Sequence, residues 1–413
     1  MDFASPVAAM EFGKLIRRGN GIEDLHVSAS SSIDDSTVII EALAHGLATP
    51  PEEDEFDSEG GLTKLKLSHF DLDRDAIDVL CSNIIHKEES RIKFVDLSGN
   101  NFTVRGDLLG EALFGSKSCL ETVAIGKNEE FWLGMFDPSF FSKLAYNTTL
   151  DTLLLVDMGY FSTRQAAALA DALCHNTTLQ ELHIEDNANM NEVELLALTP
   201  IFRHNTSLER FSLVGNNIGD LEAFSFAEAM CDNSAATNLN HLALNENCIG
   251  EFGAEALAEM LRECKTMKSL SLTNNEIDDL GAMHIADAIS QSRTIEEIHL
   301  DENSNIGIEG EEALLRSLRR NMSLQRFSMR NDENHADRTL EVNDEIDKCL
   351  RMNKLAKKLI KPDWDKPIPP ALFCDKLAYL TTSERDHEAK GQVGKVFSVL
   401  LARMDILVSH MPS

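Results

Sequence analysis

Basic residues are scarce in this chain. It has 38 lysines and arginines against 69 aspartates and glutamates, so its formal net charge is −31 at pH 7. Nucleic acids and anionic membranes carry charge of the same sign, and the sequence therefore argues against both as partners. A basic protein surface would be attracted instead, and the self-repulsion of such a chain predicts a soluble monomer.

Paired cysteines and long apolar runs are also missing. The eight cysteines form no CxxC pair and follow no regular spacing, which predicts reduced thiols and a cytoplasmic location, with the nucleus as the alternative. The apolar stretch in the first 20 residues is too short to span a bilayer. Aromatic residues make up only 6% of the chain, so a local group of them is informative.

Motifs of catalysis and ligand binding are absent in the same way. The sequence contains no HExxH, no GxSxG and no Cys/His nucleophile signature. Residues 301–312 place oxygen-bearing side chains at calcium-loop spacing, but Ile306 occupies the position that needs glycine. The sequence therefore predicts no catalytic residue, no cofactor and no metal site.

What the chain does contain is a repeat. Residues 208–219 read LERFSLVGNNIG, residues 239–250 read LNHLALNENCIG, and residues 267–278 read MKSLSLTNNEID. The shared pattern is LxxLxLxxNxI with a period of roughly 28 to 31 residues. This is the leucine-rich repeat signature in its long form, in which each unit also contains a helix.

Each unit combines two periodicities. Alternating leucines predict a short strand, and a following segment such as GAEALAEML at 253–261 predicts an amphipathic helix. Parallel strands stack about 4.8 Å apart while helices need about 10 Å, so the helix side must form the longer arc. The predicted fold is an α/β leucine-rich repeat solenoid, a horseshoe with a concave parallel sheet and convex helices.

A solenoid needs a cover at each end, which sets the predicted domains. Residues 1–21 form an N-terminal cap segment, 22–333 hold about eleven repeats with an acidic insertion at 50–61, and 334–413 form a helical C-terminal cap.

The repeat sequence resembles the ribonuclease-inhibitor-like subfamily of leucine-rich repeat proteins, which includes the Ran GTPase-activating proteins. The matching features are LxxLxLxxNxIG, the helix GAEALAEML and a recurring NTTL junction. The segments LRMNKLAKKL and PIPPALF are similar to those of uncharacterised repeat proteins of unicellular algae. The resemblance implies protein binding along the concave face. The junctions at Asn147, Asn176, Asn205 and Asn321 read as glycosylation sequons but are predicted to be helix-ending turns.

Residues that flank the strand leucines point into the concavity. There, apolar side chains of the fifth repeat and nearby aromatics predict an interface, and two acidic clusters favour a basic partner. The alternatives are that the aromatics fill the core of an irregular repeat and that the acidic residues are only solvated. The predicted partner-binding residues are Phe131, Trp132, Leu154, Val156, Asp157, Tyr160, Glu181, Glu185, Asp186, Glu297 and Asp301.

The predicted function is that of a non-enzymatic scaffold or adaptor that binds a protein on its concave face. The alternative is a GTPase-activating protein of the Ran type, for which FTVRGD at 102–107 would supply a basic loop with Arg105. The two hypotheses differ in the residue on which function depends. A GTPase activator would lose function on Arg105→Ala, and a concave scaffold on Leu154→Asp.

Overall fold

The structure is a computed structural model of the chain. It describes residues 6–17, 22–28, 36–48, 62–86, 91–102, 104–127, 138–159, 161–232, 237–321, 323–330, 342–351 and 353–354. The acidic insertion predicted at 50–61 lies outside the described residues.

The strands are short and alternate between buried and outward-facing residues. In each of them the repeat leucines or their apolar equivalents point inward, as Leu153 and Leu155 do. The strands are β1 (Asp24–Ser28), β2 (Lys64–Ser68), β3 (Asp71–Leu72), β4 (Phe94–Asp96), β5 (Asn101–Phe102), β6 (Thr122–Gly126), β7 (Thr152–Val156), β8 (Glu181–Glu185), β9 (Arg210–Ser212), β10 (His241–Ala243), β11 (Ser269–Ser271), β12 (Glu297–His299) and β13 (Arg326–Ser328).

Eleven of these strands form one open parallel sheet in the order β1, β2, β4, then β6 through β13. The register follows the repeat, because equivalent residues lie side by side: Leu153 pairs with Leu182, and Leu182 with Phe211. Strands β3 and β5 form a separate parallel pair. The predicted α/β leucine-rich repeat solenoid is confirmed, and its side-chain rows on the sheet can be read directly from the repeat alignment.

The helices follow the strands and pack on the face of the sheet to which the repeat leucines point, so the opposite face stays open. In the helix at Glu251–Glu263 the buried side chains include Ala254, Leu257, Ala258 and Leu261, spaced for one helix face. The helices are α1 (Pro6–Arg17), α2 (Ser36–Ala48), α3 (Arg74–Leu80), α4 (Gly106–Phe114), α5 (Thr163–His175), α6 (Glu192–Leu196), α7 (Thr199–His204), α8 (Asp220–Asp232), α9 (Glu251–Glu263), α10 (Asp279–Gln291) and α11 (Ile308–Arg320). A π-helical turn at Cys81–Ile85, a 3₁₀ segment at Pro138–Tyr146 and helical residues at 342–351 and 353–354 are also described.

Buried asparagines bind one repeat to the next. The side-chain amide of Asn216 donates to the carbonyls of Ile184 and Val214, and its Oδ1 accepts from the backbone N–H of Asn187. Asn247 repeats the arrangement one unit further along. These amides satisfy backbone groups that the loops would otherwise leave buried and unpaired.

A second asparagine row ends the helices. Asn176, Asn205 and Asn321 are the C-cap residues of α5, α7 and α11. Their side chains are buried, and each donates to a carbonyl of the preceding repeat, as Asn205 does to Leu173 at 2.7 Å. The sequon-like junctions are therefore helix-ending turns, and their asparagines are not accessible for modification.

Both ends of the described solenoid have helical neighbours. Helix α1 packs against α2 and buries Ala9. Residues 342–351 are helical and bury Ile346, while Asn353 donates to the carbonyl of Leu324 in the last repeat. The domain boundaries at 1–21 and 334–413 stay predictions.

Candidate protein-binding surface

Apolar side chains occupy the middle of the open sheet. Leu154 and Val156 point outward from β7 and are half-buried. Leu154 lies beside Ala124 of β6, and Val156 lies beside Gly126. A Cβ at Gly126 would meet the carbonyl oxygen of Val156 at 1.6 Å, so only glycine permits this approach. Large apolar side chains on an outward face indicate a surface for contact with another protein. A face exposed only to water would be expected to carry polar residues at these positions.

A hydrogen-bonded group lies directly next to this apolar strip. Leu154 pairs with His183 in the sheet, and Nδ1 of His183 lies 2.9 Å from a carboxylate oxygen of Glu185. The hydroxyl of Ser212 also donates to Glu185, at 2.5 Å. The hydrogen bond from His183 lowers the pKa of the Glu185 carboxyl against the opposing effect of burial. Glu185 is thus a fixed carboxylate rather than a mobile one.

The other predicted acidic residues of the strands are paired across the sheet. Glu181 forms an ion pair with Arg210, and Glu297 forms one with Arg326 at 2.6 Å. The eleven strands carry five acidic and four basic side chains in total. The sheet itself is therefore nearly neutral, and most of the net charge lies on the loops and helices.

Asp157 and Asp186 hold a turn that recurs in the solenoid. Both follow a strand directly, both are exposed, and both adopt a left-handed backbone with φ of 50° and 57°. Gly215, Glu246 and Glu302 occupy the same position in later repeats, also with positive φ. His69, Lys127 and Asn274 occupy this position in other repeats, so the edge where the strands end carries four acidic turn residues, of which Asp157 and Asp186 lie in neighbouring repeats.

Asp301 closes the last turn of the same edge. Its carboxylate accepts from the hydroxyl of Ser328 and, at 2.9 Å, from the backbone N–H of Arg330. Within the calcium-like segment, Asn303 is fully buried and its amide donates to the carbonyls of Leu272 and Leu300. Asn303 is therefore committed to the asparagine row. Among the described residues, no group of three or more potential metal ligands occurs.

Three predicted aromatic residues, Phe131, Trp132 and Tyr160, lie outside the described residues. Of the remaining predicted residues, the structure brings Leu154, Val156, Glu181 and Glu185 together on β7 and β8, while Glu297 and Asp301 lie at the far end of the sheet. Sequence analysis missed His183 and Arg210. Both occupy outward strand positions in the repeat alignment, and that position would have identified them as residues of the open face.

Arg105, the residue of the GTPase-activating alternative, precedes α4. Its guanidinium is exposed and forms an ion pair with Asp107 at 2.6 Å, two residues along the chain. The ion pair between Arg105 and Asp107 is explained by their position at the start of α4, and it gives no support to contact with a nucleotide-binding partner.

None of the helices in the described part of the chain combines the length and the apolar content needed to cross a bilayer. A shallow polar groove of about 500 Å³ lies at the opposite end of the strands, where the junction hydroxyls of Thr149, Thr178 and Ser207 line it. All three hydroxyls donate to carbonyls of the preceding junction, Thr149 to Ser118, Thr178 to Asn147 and Ser207 to Asn176. The groove is thus part of the repeat stack.

A comparison with protein-family models agrees with the repeat architecture. A family model described as Leucine Rich repeat matches residues 204–225, 235–258 and 263–286. No curated protein matches the chain. Among solved structures, one titled Leiomodin-1 Actin-Binding Site 2 is similar over 41% of this chain and 92% of its own, at 21% identity and a TM-score of 0.35. The tropomodulin C-terminal domain of Caenorhabditis elegans is similar over 41% and 98%, at 18% identity and a TM-score of 0.34. The class that fold and repeat define is a leucine-rich repeat solenoid.

Proposed function

We propose that this protein is a non-enzymatic scaffold that binds a protein partner on the concave face of its sheet. The observation that carries the proposal is the outward pair Leu154 and Val156, set beside Ala124 on an open sheet. Apolar side chains with a polar surround form the usual centre of a protein interface.

The charge around this strip supports a partner with basic character. Asp157 and Asp186 are exposed at the adjacent edge of the sheet, and the whole chain carries a formal net charge of −31. Glu181 and Glu185 are already engaged with Arg210, His183 and Ser212, so the turn carboxylates are the better contacts for an incoming basic group. Association of this kind weakens as salt rises.

The subfamily, the oligomeric state and the cellular location of the protein are part of the same proposal. Membership of the ribonuclease-inhibitor-like subfamily is supported by the resemblance of the LxxLxLxxNxIG repeats, the helix GAEALAEML and the NTTL junctions, and relatives among unicellular algae by the resemblance of LRMNKLAKKL and PIPPALF. A monomeric state and a cytoplasmic location, with the nucleus as the alternative, rest on the acidic composition and the cysteine pattern.

The test compares two substitutions on the same row of the sheet. Leu154→Asp places a charge in the apolar strip, and Ala243→Asp places the same charge three strands away in the aligned position. We expect proteins captured from native lysate by the wild-type protein to be lost with Leu154→Asp and retained with Ala243→Asp. Capture that neither substitution changes would show that the partner does not use the concave face.

A further inference from the structure

Large apolar side chains form a row on the convex side of the solenoid, away from the proposed concave surface. Each of them is between 44% and 66% exposed, although they lie in helices whose other apolar residues are buried. We call the set the helix-end stripe. Its members are Val193 in α6, Leu221 and Phe224 in α8, Phe252 in α9, Leu280 and Met283 in α10, and Ile308 in α11.

The stripe follows the repeat. Val193, Leu221, Phe252 and Leu280 are each the second residue of their helix. Phe224 and Met283 lie one turn further along α8 and α10, on the same exposed face. Ile308 is the first residue of α11. A single exposed apolar residue needs no explanation, but the same position filled in successive repeats places these side chains in one continuous row.

The helix ends that carry the stripe are held together tightly. The Asp220 carboxylate accepts from the backbone N–H groups of Gly250 and Gly253, both at 2.8 Å. Asp279 accepts in the same way from Gly307 and Gly310.

Glycine allows close packing where these ends meet. A Cβ at Gly253 would lie 3.2 Å from that of Ala223 in the preceding helix, and one at Gly281 would lie 3.1 Å from that of Ala254. The stripe is therefore a preformed surface, with a fixed spacing between the apolar side chains of successive helices.

That spacing fits a helix lying across the row. Neighbouring packed helices are about 10 Å apart, and seven residues of an α-helix advance about 10.5 Å. A partner helix with an apolar residue in every heptad would thus present one apolar side chain to each of α8, α9 and α10.

The surroundings of the stripe are acidic. Helix α8 contains four acidic residues and no lysine or arginine, and α10 contains Asp279 and Asp287 with no lysine or arginine. Glu228 and Glu255 are exposed one turn beyond Phe224 and Phe252. An apolar row bordered by carboxylates is complementary to an apolar row bordered by lysine or arginine.

We propose that the helix-end stripe binds an amphipathic helix of a protein partner whose polar face is basic. This contact is independent of the concave face and occupies the opposite side of the solenoid. A second copy of this chain, or its own segment 355–413, are the competing occupants, and the test separates them.

The first probe is a fluorescently labelled synthetic peptide of three heptads, with leucine at the two core positions and lysine elsewhere. We expect saturable binding to the full chain by fluorescence anisotropy, and at least about tenfold weaker binding to Phe252→Gln/Leu280→Gln. Glutamine keeps helix propensity, and both positions are exposed, so the fold is retained. Tyr146→Gln, which removes an aromatic residue that is more exposed than Phe252 and lies outside the stripe in the 3₁₀ segment, is the control and should bind like the wild type.

Two further peptides test the chemistry. A leucine/glutamate peptide of the same pattern should not bind, and a leucine/lysine peptide of the same composition without a segregated face should bind at least about tenfold more weakly. Equal binding of the first peptide to wild type and the double variant would overturn the proposal, as would loss of binding on Leu154→Asp.

A photo-crosslinking amino acid, benzoylphenylalanine, at position 252 identifies the occupant. An adduct with the basic peptide supports the proposal. An adduct that joins two copies of the chain, or that joins position 252 to residues 355–413, assigns the stripe to one of the competing occupants and overturns it.

Discussion

At the scale of single residues, the buried asparagines hold the repeats in register. Asn216 is completely buried, and its amide satisfies two carbonyls and one backbone N–H from neighbouring loops. Each buried polar group left without a partner costs about 1–3 kcal/mol. The asparagine of the repeat signature is therefore a structural residue, and its effect on stability should exceed that of any exposed asparagine.

We expect Asn216→Ala to lower the free energy of unfolding by about 2–4 kcal/mol, because several backbone groups lose their partners at once. Urea unfolding followed by circular dichroism measures the change. Asn305→Ala is the control, since Asn305 is exposed and makes one long hydrogen bond of 3.5 Å; it should change stability by less than about 0.5 kcal/mol. Similar losses from both substitutions would contradict the role given to the buried row.

Glu185 links stability to pH. Its folded-state pKa lies below the ordinary value of 4.5, chiefly because of the hydrogen bond from His183. A depressed carboxyl pKa contributes stability that is complete above the unfolded-state value and is lost as the pH falls through the folded-state value. We expect the wild type to exceed Glu185→Gln in stability between about pH 5 and 7, with the difference shrinking below about pH 4.

Urea unfolding midpoints of both proteins across this pH range measure the difference. Glu228→Gln, which changes an exposed carboxylate of α8, is the control and should show a much smaller effect. A difference between wild type and Glu185→Gln that grows as the pH falls would have the wrong sign.

At the scale of helices and strands, the N-terminal ends of the helices are joined by carboxylates. Asp220 begins α8 but accepts hydrogen bonds from the first turn of α9. The unpaired N–H groups of a helix start carry partial positive charge, so a carboxylate there is stabilising. This contact explains why acidic residues recur at the helix starts without invoking a ligand.

We expect Asp220→Ala to destabilise the protein by about 1–3 kcal/mol, because two charge-assisted hydrogen bonds are lost. Asp220→Asn keeps an acceptor oxygen and loses only the charge, so it should cost about half as much or less. Urea unfolding of the two variants gives the comparison. Equal losses would show that charge alone, and not the hydrogen bonds, holds α8 to α9.

Most elements could be predicted from the sequence, because a period of 28 to 31 residues fixes both their order and their register. Strand positions such as Leu153 and Leu182, and the outward position of Leu154, follow from the repeat alignment alone. The pairing of Glu181 with Arg210 was missed because it joins outward residues of adjacent strands, 29 positions apart. The pair can be predicted only when the repeat alignment is used to compare the polar outward positions of adjacent strands, and not the apolar positions alone.

The helix-end stripe was missed for a different reason. Helical periodicity assigns apolar residues to the core, yet Phe252 and Leu280 lie on the exposed face of helices whose buried face is already filled by alanine and leucine. The available signal was their shared offset from the helix start in consecutive repeats. The aromatic residues Phe131, Trp132 and Tyr160 lie outside the described residues, so their place in the predicted surface stays a prediction.

At the scale of the whole molecule, charge is distributed unevenly. The formal net charge is −31, yet the strands of the sheet carry five acidic and four basic side chains. The excess of carboxylates therefore lies outside the sheet, partly in the acidic insertion at 50–61 and partly on described helices such as α8, which has four acidic residues and no lysine or arginine. Like charges on neighbouring parallel helices repel one another, and this repulsion opposes the compact state.

Salt should therefore stabilise the fold. Raising the ionic strength from about 0.01 M to 0.15 M shortens the Debye length from about 30 Å to 8 Å, which screens repulsion between helices more than it weakens close ion pairs such as Glu297 with Arg326 at 2.6 Å. We expect the urea midpoint to rise with sodium chloride, and to rise less in Glu228→Gln/Glu255→Gln, which removes two exposed carboxylates from neighbouring helices. Choline chloride should act like sodium chloride, since screening depends on ionic strength and not on the identity of the cation. A midpoint that falls with either salt would mean that the surface ion pairs contribute more to stability than the repulsion takes away.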